Sequence, residues 1–172
     1  MGDTQEPITP TYDVVPLVAF IATMPDKFGR GSHCLDVISK ISNLVMLHPC
    51  YDFSSGTGKK TLDIIGGDVP EYTNTWESVM RKDFFCISKS DVVVADLDSI
   101  DSYHLLAVAA CYNKCIIAVS STLLSIPAYY SGSVLCVVKP EQLPNIIELY
   151  RYDESFKKLP MEKEKLPESR IK

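Results

Sequence analysis

The chain has 172 residues, of which 46% are hydrophobic and 23% are charged, a balance typical of a globular protein with one substantial core. Its formal net charge of −5 argues against binding to a nucleic-acid backbone, which depends on basic side chains that neutralise phosphates. No apolar run approaches the ~20 residues of a membrane-spanning helix, and residues 1–10 lack the pattern of a signal peptide. We therefore predict a soluble, intracellular, cytoplasmic protein.

Three parts of the chain differ in composition. Residues 1–12 are predicted to be a flexible lead-in, residues 13–153 a single α/β domain, and residues 154–172 a charged tail. Between Lys157 and Lys172 there are six basic and three acidic side chains, a local charge of +3. A tail of this kind either contacts an acidic partner or is simply solvated.

Six cysteines are spread along the predicted elements, and no two of them form a CxxC pair. Cys111 and Cys115 are four residues apart, but no His or Cys cluster nearby completes a zinc site. We expect reduced, buried thiols in an intracellular protein. The sequence predicts neither a bound metal nor a cofactor.

Short apolar runs rich in β-branched residues predict five buried strands. In chain order they are Val14–Ala22, a strand that begins within Leu44–Leu47, Asp91–Leu97, Cys115–Val119 and Ser133–Val138. The strand at Asp91–Leu97 and the strand at Cys115–Val119 bracket one helix of sequence, which is the pattern of a βαβ unit. The order of elements predicts an α/β fold, a three-layer sandwich around a mostly parallel five-stranded sheet, similar to flavodoxin-like or Rossmann-like folds.

Helical spacing of apolar residues predicts the helices between these strands. They are a first helix capped by Ser32, a second at about Thr73–Lys89, a third at Ser102–Asn113 and a last one at Glu141–Tyr152. In the second of these helices the residues expected to form the buried face are Trp76, Val79, Met80, Phe84 and Ile87. The intervening residues 51–70 are rich in glycine and polar side chains and are predicted to be a long loop.

Residues 54–61 of this predicted loop look at first like a phosphate-binding loop. A Walker A motif needs glycine where Phe53 stands and a hydroxyl residue where Lys60 stands. The segment therefore lacks both the tight glycine turn and the magnesium-binding hydroxyl of that motif. We predict a flexible basic loop in which Lys59 or Lys60 could contact a phosphate. No dinucleotide-binding glycine motif follows the first strand, and no serine-hydrolase elbow is present.

Acidic residues follow the third predicted strand. Parallel sheets place ligands beyond the carboxyl ends of their strands, so Asp96 and Asp98 would lie where a ligand binds. Alternatively, these carboxylates cap the next helix together with Asp101 and Ser102. His104 either acts as an acid or base near the pocket or is a solvated residue of the first helical turn.

The order of these pieces resembles the nucleoside 2-deoxyribosyltransferase family, including its relatives that hydrolyse the N-glycosidic bond of deoxynucleoside monophosphates. The first strand ends in a similar turn, which reads Phe20-Ile21-Ala22-Thr23-Met24-Pro25. The family carries an active-site aspartate eight residues before its third strand, and Asp83 stands eight residues before Asp91. The Asn113-Lys114 turn also matches in position. The resemblance covers roughly residues 14–120.

The chain departs from the family at the catalytic nucleophile. The family uses a glutamate at the start of the helix after strand three, and counting back from Lys114 places Leu105 there. Leucine cannot form a glycosyl-enzyme ester, which requires a carboxylate facing the anomeric carbon. A glycine of the family's helix is replaced by Ala107, and Phe20 lacks the hydroxyl of the family's tyrosine.

The resemblance implies a nucleoside- or nucleotide-shaped cleft and no cofactor. The departure at the nucleophile implies impaired catalysis, so that the protein would be a pseudoenzyme. If the chain is active, it cleaves or exchanges the N-glycosidic bond of deoxynucleosides or deoxynucleotides. The residues expected to catalyse are Asp83, Asp98 and Asp101, and those expected to bind substrate are Phe20, Thr23, Met24, Asp96 and His104. The resemblance also implies a homo-oligomer. The alternative is a non-catalytic scaffold subunit of a larger assembly that uses the fold and the tail as interaction surfaces.

Overall fold

A computed structural model describes residues 15–23, 32–71, 73, 75–100, 102–122 and 133–157. Five strands are present in this part of the chain, namely β1 (Leu17–Ala22), β2 (Leu44–Leu47), β3 (Val92–Asp96), β4 (Cys115–Val119) and β5 (Val134–Val138). The helices are α1 (Ser32–Ser39), α2 (Gly56–Ile65), α3 (Trp76–Lys89), α4 (Ser102–Cys111), α5 (Leu143–Tyr152) and α6 (Glu154–Lys157), and a 3-10 turn at Pro140–Gln142 precedes α5.

The five strands form one sheet in the order β2-β1-β3-β4-β5, with every neighbouring pair parallel. The predicted α/β fold and the βαβ unit of β3, α4 and β4 are therefore confirmed. Ala22 pairs with Ala95, and Asp96 pairs with Val119. This register brings the carboxyl ends of β1, β3 and β4 to one edge of the sheet.

Both faces of the sheet are buried, because alternate strand residues point to opposite sides. On one side α2, α3 and α4 cover the sheet, and the fully buried side chains there include Phe20, Leu105 and Leu106. On the other side α1 and α5 cover it through residues such as Ile38 and Leu143. The three-layer sandwich predicted from the sequence is present.

The prediction of a loop throughout residues 51–70 is wrong, because α2 lies within it. Ser55 caps this helix by accepting a hydrogen bond from the backbone N–H of Gly58 at 2.9 Å. Gly66, with φ of 67°, ends it with a backbone bond to Leu62. Of the glycines that indicated a loop, Gly56 begins the helix, Gly58 packs closely against the preceding turn, and Gly66 and Gly67 follow its last residue. Lys59 and Lys60 are therefore helical and do not lie in a loop.

The predicted buried face of α3 is also wrong in part. Trp76 is 80% exposed and Met80 is 43% exposed, whereas Lys82 and Asp83 are among the residues that face the interior. Thr75 caps the helix, so α3 begins at Trp76 rather than near Thr73. The sequence pattern misassigned the face because two buried charged residues interrupt its apolar stripe, and pattern analysis assigns charged residues to solvent.

The turn between α4 and β4 ties the two helices α3 and α4 together. Asn113 adopts a positive φ of 53°, which turns the chain directly from α4 into β4. The next residue, Lys114, donates hydrogen bonds from its ammonium to the backbone oxygens of Ser88 and Ser90, at 2.7 Å and 2.8 Å. A cation at this place satisfies free carbonyls at the carboxyl end of α3 and opposes the negative end of its dipole.

All six cysteines are free, and Cys50 and Cys111 are exposed rather than buried. Within the described residues, every helix is too short or too polar to cross a membrane.

We predict that Gly58→Ala destabilises the protein, whereas Gly56→Ala does not. A Cβ atom on Gly58 would overlap the backbone of Asp52 and Phe53, which cannot move without distorting the turn that precedes α2. Overpacking of this kind costs roughly 1–3 kcal/mol. A Cβ atom on Gly56 meets nothing within 4 Å. Urea unfolding of both variants checks this, and equal unfolding midpoints would contradict the close approach at Gly58.

Candidate functional site

The side chain of Asp96 lies at the carboxyl edge of the sheet and is held by two neighbours. Thr23, which directly follows β1, donates its hydroxyl hydrogen to Oδ2 of Asp96 at 2.9 Å. The backbone N–H of Asp98 donates to Oδ1 of Asp96 at 3.0 Å. Asp96 is only 3% exposed. Both carboxylate oxygens therefore already have a hydrogen-bond donor from the protein itself.

Asp98 joins the ends of β3 and β4. Its carboxylate accepts the backbone N–H of Ser121 at 2.9 Å and the hydroxyl of Ser120 at 3.3 Å. Ser102, at the start of α4, donates its hydroxyl hydrogen to the backbone oxygen of Asp96 at 2.5 Å. We call the residues Thr23, Asp96, Asp98, Ser102 and Ser120 the edge cluster.

Burial affects the pKa values of Asp96 in the edge cluster and of Cys34 beside it. Burial raises the pKa of the Asp96 carboxyl, and the hydrogen bonds from Thr23 and from the amide of Asp98 oppose that rise. The thiol of Cys34, on α1, is also buried and is close enough to feel the charges of Asp96 and Asp98. Burial raises the pKa of the Cys34 thiol far above its ordinary value, and the Asp96 and Asp98 carboxylates raise it further. Cys34 is therefore a neutral thiol and not a nucleophile.

Asp83 occupies a second buried position, on the inner face of α3. The residue is 5% exposed, and its Oδ1 atom has no hydrogen-bond partner in the part of the chain that the structure describes. Burial raises the pKa of Asp83 to about 6, and the nearby Lys82 ammonium opposes that rise. This carboxyl therefore titrates near neutral pH, so it can either donate or accept a hydrogen bond.

Lys82 precedes Asp83 and is likewise buried, at 4% exposure. Its ammonium donates to the backbone oxygen of Pro49 and, at 3.3 Å, to the backbone oxygen of Tyr51. Lys82 also affects its neighbour His48, whose pKa is lowered first by burial and then by the Lys82 charge. The sequence analysis did not single out Lys82, because a lone lysine in a helix usually lies on the solvated face.

A cavity of about 590 Å³ opens beside the turn that Lys82 holds. Such a volume lies within the range of small-molecule sites. The cavity is wide open to solvent. The side chains of Phe53 and Leu62 supply apolar wall, and Glu71 supplies a carboxylate, whereas Asp83 is not among the lining residues. The ring of Phe53 also packs against Tyr51 and Phe85, with centroids 4.8 Å and 6.2 Å apart.

The remaining predicted site residues lie apart from these groups or outside the described residues. Phe20 is completely buried in the core, so in this structure its side chain has no exposed surface that a substrate could contact. His104 is exposed on α4. Met24 and Asp101 lie outside the described residues. Leu105, which stands where the resemblance places the nucleophile, is 1% exposed and packs in the core.

The described residues contain no group of three or more His, Cys, Asp or Glu side chains arranged to hold a metal ion. Of the predicted set, the structure brings Thr23, Asp96 and Asp98 together. It places Asp83 on a different element, next to Lys82 and Cys86. Burial raises the pKa of Cys86 to about 12, and the Asp83 carboxylate adds to that rise.

No protein-family model matches this sequence, and no curated protein matches it significantly. Comparison with solved structures does find a similar fold. A 2-deoxyribosyltransferase from the psychrotolerant bacterium Bacillus psychrosaccharolyticus matches with a TM-score of 0.54 and 15% sequence identity, over 83% of this chain and 96% of that one. That enzyme is a biocatalyst for the synthesis of antiviral and antitumoral nucleosides. This likeness confirms, at the level of the fold, the resemblance found in the sequence: the chain has the α/β fold of a 2-deoxyribosyltransferase.

Proposed function

We propose that this protein binds a deoxynucleoside or deoxynucleotide and does not transfer its sugar. The observation that carries the proposal is the buried Asp83 carboxyl, whose Oδ1 atom has no partner among the described residues. A buried polar atom without a partner costs free energy, and a functional role is one of the reasons for which native proteins keep such an atom. A nucleobase edge presents both donors and acceptors. A carboxyl that titrates near pH 6 can pair with either kind.

Three features of the chain support the loss of sugar transfer. The position that the resemblance assigns to the nucleophile is Leu105, which lies in the core. The Asp96 carboxylate has both oxygens engaged by Thr23 and Asp98. The Asp98 carboxylate is engaged by the loop after β4. A nucleophilic carboxylate must face the anomeric carbon, whereas the Asp96 and Asp98 carboxylates are oriented by hydrogen bonds within the protein. Asp98 is nevertheless exposed.

A second candidate function is that of an interaction subunit. It is favoured by the outer face of α3, where Trp76 is 80% exposed and Met80, four residues further along, is 43% exposed. Exposed large apolar side chains on one helix face are typical of a surface that contacts another protein. A complex formed through this face, with or without bound nucleoside, would involve a homo-oligomer or a larger assembly.

We predict that the wild-type protein binds members of a panel of deoxynucleosides and deoxynucleoside monophosphates and releases no free base. Asp83→Ala should weaken that binding roughly 10- to 100-fold, since a hydrogen bond involving a charged group contributes about 1.5–3 kcal/mol. Calorimetric titration measures the affinity, and chromatography of the incubated nucleotides measures base release. Asp63→Asn, an exposed carboxylate on α2, is the matched control and should bind as the wild type does.

Two results would contradict this proposal. If no nucleoside or nucleotide binds, the Asp83 carboxyl is not a binding group, and interaction through α3 becomes the leading function. If base is released, and Asp98→Ala or Asp101→Ala abolishes the release, the chain is an active N-glycosidase or transferase with a substitute carboxylate.

We also predict a pH dependence of stability that originates at Asp83. Its pKa is about 6 in the folded protein and near 3.8 in the unfolded chain, so the folded state holds the proton over a wider pH range. The favourable contribution is therefore complete below the unfolded value and is lost as the pH rises through about 6.

Replacement of Asp83 by Asn removes this dependence. Relative to the wild type, Asp83→Asn should gain about 1 kcal/mol of unfolding free energy between about pH 5 and about pH 8. Urea unfolding at the two pH values measures the change, and Asp63→Asn should show the wild-type dependence. A constant difference between Asp83→Asn and wild type would mean that Asp83 titrates at its ordinary value.

A further inference from the structure

Lys82 connects α3 to the chain that leaves β2. Its ammonium donates to the backbone oxygens of Pro49 and Tyr51, which precede it by 33 and 31 residues. Removing an ammonium from water costs several kcal/mol unless hydrogen bonds compensate. An apolar side chain of similar length would fill the same space without that cost. Packing alone therefore does not account for a charged side chain at this position.

The turn that Lys82 holds carries the aromatic wall of the cavity. The Tyr51 hydroxyl and the Thr61 hydroxyl of α2 lie 2.6 Å apart, so the turn is fixed to α2 as well as to α3. Phe53, two residues further along, packs against Tyr51 and lines the 590 Å³ cavity. Movement of the Pro49 and Tyr51 carbonyls would therefore move Phe53.

The same ammonium acts on the titratable groups around it. It opposes the burial-driven rise in the pKa of Asp83 and the burial-driven rise in the pKa of Cys86. Together with burial, it also lowers the pKa of His48, which follows β2. These three groups come from the two elements that Lys82 connects.

We propose that Lys82 is a positioning residue of the nucleoside or nucleotide site: its ammonium clamps the Pro49–Tyr51 turn to α3 and so fixes the Phe53 wall of the cavity relative to the helix that carries Asp83. This inference rests on the proposed function. Lys82 acts through its neighbours, and no contact between Lys82 and the ligand is required.

Lys82→Met and Lys82→Arg test this role. Methionine keeps the length and apolar stem of the side chain but removes the charge and the donors, whereas arginine keeps both. We expect Lys82→Met to weaken nucleotide binding at least tenfold, to raise the pKa of Asp83 and to speed hydrogen exchange at the amides of residues 51–53. Lys82→Arg should restore these properties at least in part. Deoxynucleoside monophosphates serve as the ligands, and NMR titration of the side-chain carboxyl follows Asp83.

The measurements separate a positioning role from a purely structural one. If Lys82→Met changes only the unfolding midpoint, and leaves affinity, the pKa of Asp83 and exchange at residues 51–53 as in the wild type, Lys82 is not a positioning residue. If the wild type binds no nucleotide, the proposed function fails. In that case, an unchanged Asp83 pKa and unchanged exchange in Lys82→Met would still overturn the clamp, and changes in both would support it. Lys60→Met on α2, an exposed lysine, is the control and should alter none of these quantities.

Discussion

The parallel register of β1, β3 and β4 is the constraint on which the rest of the molecule depends. Because Ala22 pairs with Ala95 and Asp96 pairs with Val119, the three strands end at one edge, and the residues that follow them must meet. The hydrogen bond from Thr23 to Asp96 and the bonds from Ser120 and Ser121 to Asp98 close this edge from both sides. In many parallel sheets such an edge is open to ligand. Here the described carboxylates are engaged within the protein.

Two further buried ionisable side chains lie one layer away from this edge, on α3. Asp83 and Lys82 are both buried, but they solve the burial of charge in different ways. Lys82 is compensated by two backbone oxygens, whereas Asp83 shifts toward its neutral form. The Lys82 ammonium donates to two backbone oxygens, whereas Oδ1 of the Asp83 carboxyl has no partner among the described residues. The proposed function relies on this difference, because it requires a carboxyl that can pair with a ligand but no nucleophile.

Several elements could be predicted because local sequence determines them. The β-branched run at β3, the apolar run at β4 and the spacing between them specify a buried βαβ unit in almost any context. The glycines and hydroxyl residues around α2 did not predict a helix, because Ser55 is recognisable as a cap only when the helix after it is known. The buried face of α3 was misassigned for a similar reason. Nothing local shows that Lys82 meets carbonyls of Pro49 and Tyr51, which are more than thirty residues away.

The sequence by itself determined the class of fold, the strand positions and the edge at which Thr23, Asp96 and Asp98 gather. These follow from hydrophobic periodicity and from the fixed direction of parallel strands, which are properties of the chain alone. Only the tertiary structure decided what those residues do. Whether a carboxylate is free, bonded or neutral depends on its distance from donors on other elements and on the water excluded by packing. That is why Asp96 and Asp98 are bonded within the edge cluster, Trp76 is exposed, and Asp83 is the carboxyl left without a partner at Oδ1 among the described residues.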